Sequence, residues 1–394
     1  MFPNLPGSGP VHIPAQGDCA MDENRIGAGP QAAKPGRNYG VDLLKVIAVL
    51  MVICWHLINH GGCLAAAEPL SSRFELLHGL GALSICTVDI YVMLTGFLYQ
   101  SRRTKPETLI GLWMTAVFYA VLVPAVLKVT GAEIGAAQII KGFFPVITVR
   151  FWFFTAYFGL FFLMPALNRV VEDRRLARVT LAGVLFCFSL LPSAAHNYDL
   201  FGLSGGYSLL WFTALYLCGA LLGRYGAPAW LTQRRAALLF LLGALLTFGA
   251  ANAACLLHDT RAGALWPRGF FYNHTAPGVL LSAVGLVCLL TRAEIRSPAL
   301  RRVLPTLASC SFGVYLLHDN SFVRDLLITG RFAALSEQPV PKILLVLLGW
   351  TLAILAVGTA VDLLRGRLFR ALGVPRLAKR IARLAESCFA KIFP

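Results

Sequence analysis

Apolar runs of about twenty residues recur along the chain, separated by short loops that carry basic residues, glycine and proline. A helix of 20 residues rises about 30 Å, the thickness of a bilayer's hydrocarbon core, so each run reads as a membrane-spanning helix. The first is VDLLKVIAVLMVICWHLINH, from Val41 to His60. After an irregular loop to about Leu77, a second run covers His78 to Tyr99, and a third covers Glu107 to Val129. The fourth, RFWFFTAYFGLFFLMPALNRV, starts at Arg150, and three more cover Leu176 to Ser193, Tyr207 to Gly223 and Ala236 to Leu257. The eighth begins at Tyr272, the ninth at Leu304, and the tenth runs from Pro341 to Leu364. The pattern predicts an all-α, polytopic membrane bundle of about ten transmembrane helices.

The flanks differ. Residues 1–38 are rich in glycine and proline with no apolar run, and are expected to be a disordered tail rather than a secretory signal. Residues 39–364 form the membrane domain. Residues 365–394 make a basic amphipathic tail, expected to lie on an anionic inner leaflet, with a partner-helix target as its other reading. Basic residues such as Arg102, Arg103, Lys105, Arg174, Arg175, Arg234, Arg235, Arg301 and Arg302 gather on one side if the N-terminus is cytoplasmic. An even number of crossings then places both termini in the cytoplasm.

Composition sharpens this picture. Only 14% of residues are charged, against about 25% in globular proteins, and mean hydropathy is +0.68, which leaves no room for a sizeable soluble domain. The net charge of +16 sits in short loops as a topology signal, so nucleic acid is not an expected partner. Ten cysteines are scattered without metal-like spacing, and no metal site is expected. A disulfide between Cys63 and Cys255 is left open. No internal repeat is evident.

The candidate chemistry begins in the first run. Lys45 and His56 are 11 residues apart, almost three whole helical turns, so they share one face about 16 Å apart along the axis. Ionisable groups facing lipid cost roughly 2.5–3.5 kcal/mol each near the bilayer centre, so this stripe is expected to face protein or a water-filled cavity. Lys45 has a second reading, a cation reaching for the headgroups, and His56 a second one as a bond between helices. Asp89 falls mid-membrane beside Thr87, Tyr91 and Thr95, either as a functional carboxylate or as a helix–helix bond. Trp152, Thr155 and Tyr157 lie in the outer half. Tyr207 and Trp211, with Tyr272, Asn273 and His274, mark the outer interface, where an aromatic belt accounts for the rings equally well. Ser311, Tyr315 and His318 are spaced i, i+4, i+7 on one face. His60 and His258 read as solvated loop-edge residues. No GxSxG, HExxH, GxxxxGK[ST] or GxGxxG motif is present. Histidine, tyrosine and carboxylate in an apolar cavity suit proton transfer from a hydroxyl, as in an alcohol attacking a thioester.

The K-x10-H spacing in DLLKVIAVLMVICWH resembles the first-span signature of the acyltransferase-3 family of integral membrane acyltransferases. So do CTVDIYVMLTGFLY, FWFFTAYFGLFFLMPALN, GGYSLLWFTALYLCGALLGRYG, YNHTAPGVLLSA and SFGVYLLHDNSFVR, six blocks in family order between about residues 38 and 325. Each alone is a weak apolar pattern, and together they are most similar to the bacterial carbohydrate O-acetyltransferase branch. The resemblance implies transfer of an acyl group, most simply acetyl from acetyl-CoA, to a hydroxyl of a cell-envelope glycan or lipid-linked sugar. It implies a place in the bacterial inner membrane, with no metal or further cofactor. It assigns the essential histidine to His56 and its basic partner to Lys45, with Asp89, Tyr157 and His318 as further catalytic candidates. Phe153 departs from the tyrosine common in relatives. Some relatives carry a fused extracytoplasmic domain; none is evident here, so direct transfer or hand-over to a partner is expected. Lys45, Arg102 and Arg103 are expected to hold the donor's phosphates, and Trp152, Tyr207, Asn273 and Tyr315 the acceptor. A transporter or flippase of an acylated metabolite or lipid-linked sugar is the rival from another class, and a non-catalytic assembly partner a third.

Overall fold

The computed structural model describes residues 37–102, 104–257 and 269–392, and every regular element among them is helical. The chain enters α1 at Tyr39–Asn59 and makes one turn, α2, at Cys63–Ala66. Next come α3 (Ser72–Ser84) and α4 (Thr87–Tyr99), two halves of one apolar stretch. The long α5 (Pro106–Val129) is followed by a short α6 (Ala136–Lys141) and by α7 (Trp152–Glu172). Helix α8 (Arg174–Leu185) continues through a π-helical turn, Phe186–Leu190, into α9 (Leu191–Ala194). Then follow α10 (Leu209–Tyr225), α11 (Gln233–Leu256), α12 (Pro277–Leu290), α13 (Pro298–His318) and α14 (Ser321–Leu327). Helix α15 (Val340–Ala371) and helix α16 (Val374–Ile392) end the chain.

Lipid offers no partner for a free N–H, so helix starts must satisfy their own first turn. The sequence supplies the means. Asn38, Ser71, Asp173, Ser208, Thr232, Ser297 and Asn320 each accept a backbone N–H through the side chain, and Pro106, Pro277 and Pro298 stand where no N–H is needed.

Seven helical stretches are long and apolar enough to cross a membrane, and eight if the bent pair Leu200–Gly206 and Leu209–Tyr225, at 73°, is one crossing. The protein is therefore a multi-pass membrane protein. Two further helices correspond to expected spans but fall outside that criterion: α12 has 14 residues, and α13 carries Arg301 and Arg302 in its first turns. Other boundaries move as well. The stretch expected as irregular up to Leu77 is helical from Ser72, capped by Ser71. Helix α15 continues to Ala371, beyond the expected end at Leu364, because nothing breaks it before Gly373, whose φ of 68° turns the chain. Cys63 is a thiol bonded to the Phe332 carbonyl at 3.2 Å, and no disulfide joins it to Cys255.

Helix α1 is the centre of the bundle, in contact with α3, α4, α12, α13 and α15. Its Leu44, Ala48, Val49, Ile53 and Leu57 are sealed from solvent. At its start the Asn38 amide donates to the Thr291 carbonyl at 2.9 Å, and Arg301 lies over the Tyr39 ring. At its far end the carbonyls of His60 and Gly61 accept from Gly330 and Phe332. Helices α4 and α10 approach through glycine. A Cβ on Gly219 would collide with the Met93 backbone, and one on Gly96 with the Tyr216 carbonyl. Small residues let apolar helices pack backbone to backbone, which matters where lipid gives no hydrophobic drive for association. A buried polar knot joins α5 to α15: Asp362 accepts from the Tyr119 hydroxyl at 2.9 Å and from Arg365 at 2.6 and 3.0 Å.

Candidate active site

A cavity of about 200 Å³ opens beside α1. Lys45, Val49, Val52 and His56 line it at i, i+4, i+7 and i+11, a single stripe of α1. Helix α4 adds Thr87, Val88, Tyr91 and Thr95, and α7 adds Trp152, Phe153 and Tyr157. Helix α13 adds Ser311, Phe312 and Tyr315, and α5 contributes Leu112. The walls are mainly apolar, so the few polar atoms are the natural handles for a substrate.

The most specific of these handles is a pair of histidines. His56 Nδ1 lies 3.1 Å from His318 Nε2, and His318 Nδ1 lies 2.7 Å from the Val314 carbonyl. A carbonyl oxygen only accepts, so His318 carries its proton on Nδ1. Its Nε2 then accepts, and His56 Nδ1 donates. In the neutral state this leaves His56 Nε2 with the free lone pair, the tautomer a general base requires. Asp319 Oδ1 stands 3.8 Å from His56 Nδ1 and 3.1 Å from an Arg324 nitrogen. A proton gained by His56 thus meets a nearby carboxylate. Asn320, fully buried, donates to the Tyr119 carbonyl at 3.3 Å and caps α14. His318, Asp319 and Asn320 thereby tie α13 to its surroundings from three directions.

The expected residues separate on inspection. Lys45, His56, Trp152, Tyr157 and Tyr315 line one cavity, and His318 reaches it through His56. Lys45 is half-buried, and its carbonyl accepts from the Tyr91 hydroxyl at 3.0 Å. Asp89 does not line the cavity. Two residues from both Thr87 and Tyr91, it is turned about 160° away from each of them around the helix. There it accepts from the Trp211 indole at 3.2 Å, so the carboxylate bonds α4 to α10. Asn273 holds its own loop, donating to the Phe270 carbonyl and accepting from Thr275. Tyr207 is exposed and leans on Trp152, with centroids 4.4 Å apart, so it sits behind the lining rather than in it. Arg102 is exposed beyond the end of α4, outside the cavity lining, and Arg103 lies outside the described residues, as does His258. Phe153 lies among Tyr91, Tyr157 and Tyr315, with centroids 6.4, 6.3 and 5.8 Å away, so phenols surround the position that lacks a hydroxyl.

Two participants escaped sequence reasoning. His60, read as a solvated edge residue, packs its ring 5.0 Å from His56. Arg324 pairs with Asp319. The signal for His60 was its i+4 spacing from His56; nothing local marked Arg324. Ligand atoms of His56, His60 and Asp319 lie within 4.8 Å of one another, a spacing open to a divalent ion. His318 and Arg324 already engage two of the three.

A family model described as an acyltransferase domain, that of the acyltransferase-3 family, matches residues 38–363. No curated protein and no solved structure matches the chain. The match covers most of the chain, and the protein belongs to the acyltransferase-3 family of membrane acyltransferases.

Proposed function

From that membership, we propose that the protein is an O-acyltransferase of the bacterial inner membrane that uses acyl-CoA, most simply acetyl-CoA. The acceptor is a hydroxyl of a cell-envelope glycan or lipid-linked sugar. Basic loops and the C-terminal helix face the cytoplasm in this reading.

His56 Nε2 removes the proton of the acceptor hydroxyl as its oxygen attacks the thioester carbonyl carbon. The oxyanion of the tetrahedral intermediate takes a hydrogen bond from Tyr157 or Tyr315, both on the cavity wall. The C–S bond then breaks, the carbonyl re-forms as an ester, and the CoA sulfur takes the proton from His56. His318 holds the His56 ring in the productive tautomer, and Asp319 stabilises the transient imidazolium. Lys45, almost three helical turns from His56 on the same stripe of α1, donates to the carbonyl oxygens of the donor's pantetheine arm. The observation that carries the reading is the oriented His56–His318 pair on a cavity that also holds Lys45.

The test is release of free CoA by the purified protein in nanodiscs, with acetyl-CoA and an envelope-glycan extract. Glycan-dependent release that vanishes in His56→Ala supports it. The transport reading draws on the 73° break before α10, since broken helices line many transport paths. It predicts substrate movement without thioester consumption.

A further inference from the structure

The cavity beside His56 raises a problem of size and charge for an acyl-CoA donor. Its 200 Å³ is below the roughly 300–1,000 Å³ of ligand pockets, and its walls are largely apolar. A slender acyl-pantetheine arm suits it. The nucleotide end, with its phosphate charges, would be desolvated at great cost among those walls. It must lie outside them.

A second hollow adjoins the first. A groove of about 450 Å³ runs between α5, α15 and α16, and Leu112 forms a wall of both the groove and the cavity. The left-handed turn at Gly373 folds α16 back onto α5 and so creates the groove. Arg365, Arg370, Lys379, Thr108 and Glu107 are among its lining residues. Arg365 is held by Asp362, whereas Arg370 and Lys379 make no ion pair among the described residues. With Arg365 held by Asp362, two cations face the Glu107 carboxylate, and a guanidinium and an ammonium without an ion-pair partner are strong donors for phosphate oxygens.

We propose that this groove binds the phosphate-bearing nucleotide end of acyl-CoA, with the acyl-pantetheine arm passing Leu112 toward His56. The proposal rests on the acyl-CoA reading above and adds the place of the nucleotide. Anionic lipid headgroups share the phosphate chemistry. Adjacency to the cavity, with Leu112 on the walls of both, favours the donor, because a headgroup has no need of that neighbour.

The experiment compares two donors: acetyl-CoA, and S-acetylpantetheine, which has the same thioester arm and no phosphate. The full-length protein is assayed in nanodiscs of phosphatidylcholine with and without phosphatidylglycerol. Arg370→Gln/Lys379→Gln is set against wild type and against Arg380→Gln/Arg383→Gln, which removes the same charge from α16 outside the groove lining. The groove variant is expected to raise KM for acetyl-CoA about ten-fold or more, as loss of charge-assisted hydrogen bonds implies. Its turnover of S-acetylpantetheine, and the control variant's turnover of both donors, should stay within about two-fold of wild type by the same reasoning. An unchanged acetyl-CoA KM overturns the proposal. So does a loss that affects both donors equally and only in discs with phosphatidylglycerol, the mark of a lipid site. Wild-type protein that consumes neither donor overturns the acyl-CoA reading and the groove with it, a result distinct from an active wild type with an indifferent groove variant.

Discussion

His56 Nδ1 and His318 Nε2 stand 3.1 Å apart across 262 positions of sequence, one near the end of α1 and the other at the last residue of α13. Because His318 is itself bonded to the Val314 carbonyl, the pair has a direction, and that direction leaves the second nitrogen of His56 free to take a proton. A ring held in one tautomer needs no reorganisation at the moment of reaction. His56→Ala should therefore lower acceptor-dependent CoA release by about 10²–10⁴-fold, the usual range for a positioned general base. Release that persists near the wild-type rate would remove His56 from the mechanism.

His318→Ala tests orientation separately. Without its partner the His56 ring is free to adopt the other tautomer, so kcat should fall by about 10–100-fold, less than on loss of the base itself, while KM for acetyl-CoA is unchanged. Steady-state kinetics on protein of unaltered thermal stability decides it. A rise in KM alone would mark His318 as part of a binding surface.

Asp89 is expected to behave as a structural residue. Asp89→Ala removes the acceptor for the Trp211 indole and should cost about 1–3 kcal/mol of stability. The folded fraction should retain kcat within about two-fold, since no bond to the reacting groups is lost. Thermal unfolding in detergent, paired with kinetics, checks both halves. A large kcat loss without destabilisation would contradict a purely structural bond from α4 to α10.

The knot of Tyr119, Asp362 and Arg365 predicts a larger structural effect. Asp362→Ala leaves the Arg365 guanidinium poorly compensated and should destabilise by about 3–5 kcal/mol. Adding Arg365→Met removes the stranded charge, so the double variant should regain part of that loss. Equal stability of the single and double variants would show that the pair is not coupled.

Gly219 tests the α4–α10 contact. A side chain there meets the Met93 backbone, which cannot yield as a flexible side chain does. Gly219→Leu should force the helices apart and lower the melting temperature, and with it the yield of folded protein in detergent. A normal melting temperature would mean that the helices slide at little cost.

Much of the molecule was written in local pattern. Lipid requires apolar helices of bilayer length, so composition and run length sufficed for an all-helical membrane protein. Helical periodicity put Lys45 and His56 on one stripe, and the cost of ionisable groups in lipid turned that stripe inward, where both line one cavity. The same periodicity placed Ser311, Tyr315 and His318 together, before any partner was known. Six blocks in order were enough to resemble the family.

Other features have no local signature. Hydropathy decides whether a segment enters the membrane, not how it is rotated about its axis once there. Asp89, set beside cavity residues by sequence, is turned toward α10, and Asn273 spends its bonds on its own loop. Arg301 and Arg302 make α13 too polar to stand out as a membrane span by itself, yet its far end packs His318 against His56. Arg324, on α14, belongs to the site only through its ion pair with Asp319, and nothing in its own stretch of sequence marks it. The fold back at Gly373, which lays α16 along α5, depends on one left-handed residue whose consequence is long-range. Sequence determined which segments are helical and which of their faces carry charge. Tertiary packing alone decided which of those faces meet, because rotation and pairing of helices follow from close contact among distant residues rather than from neighbours along the chain.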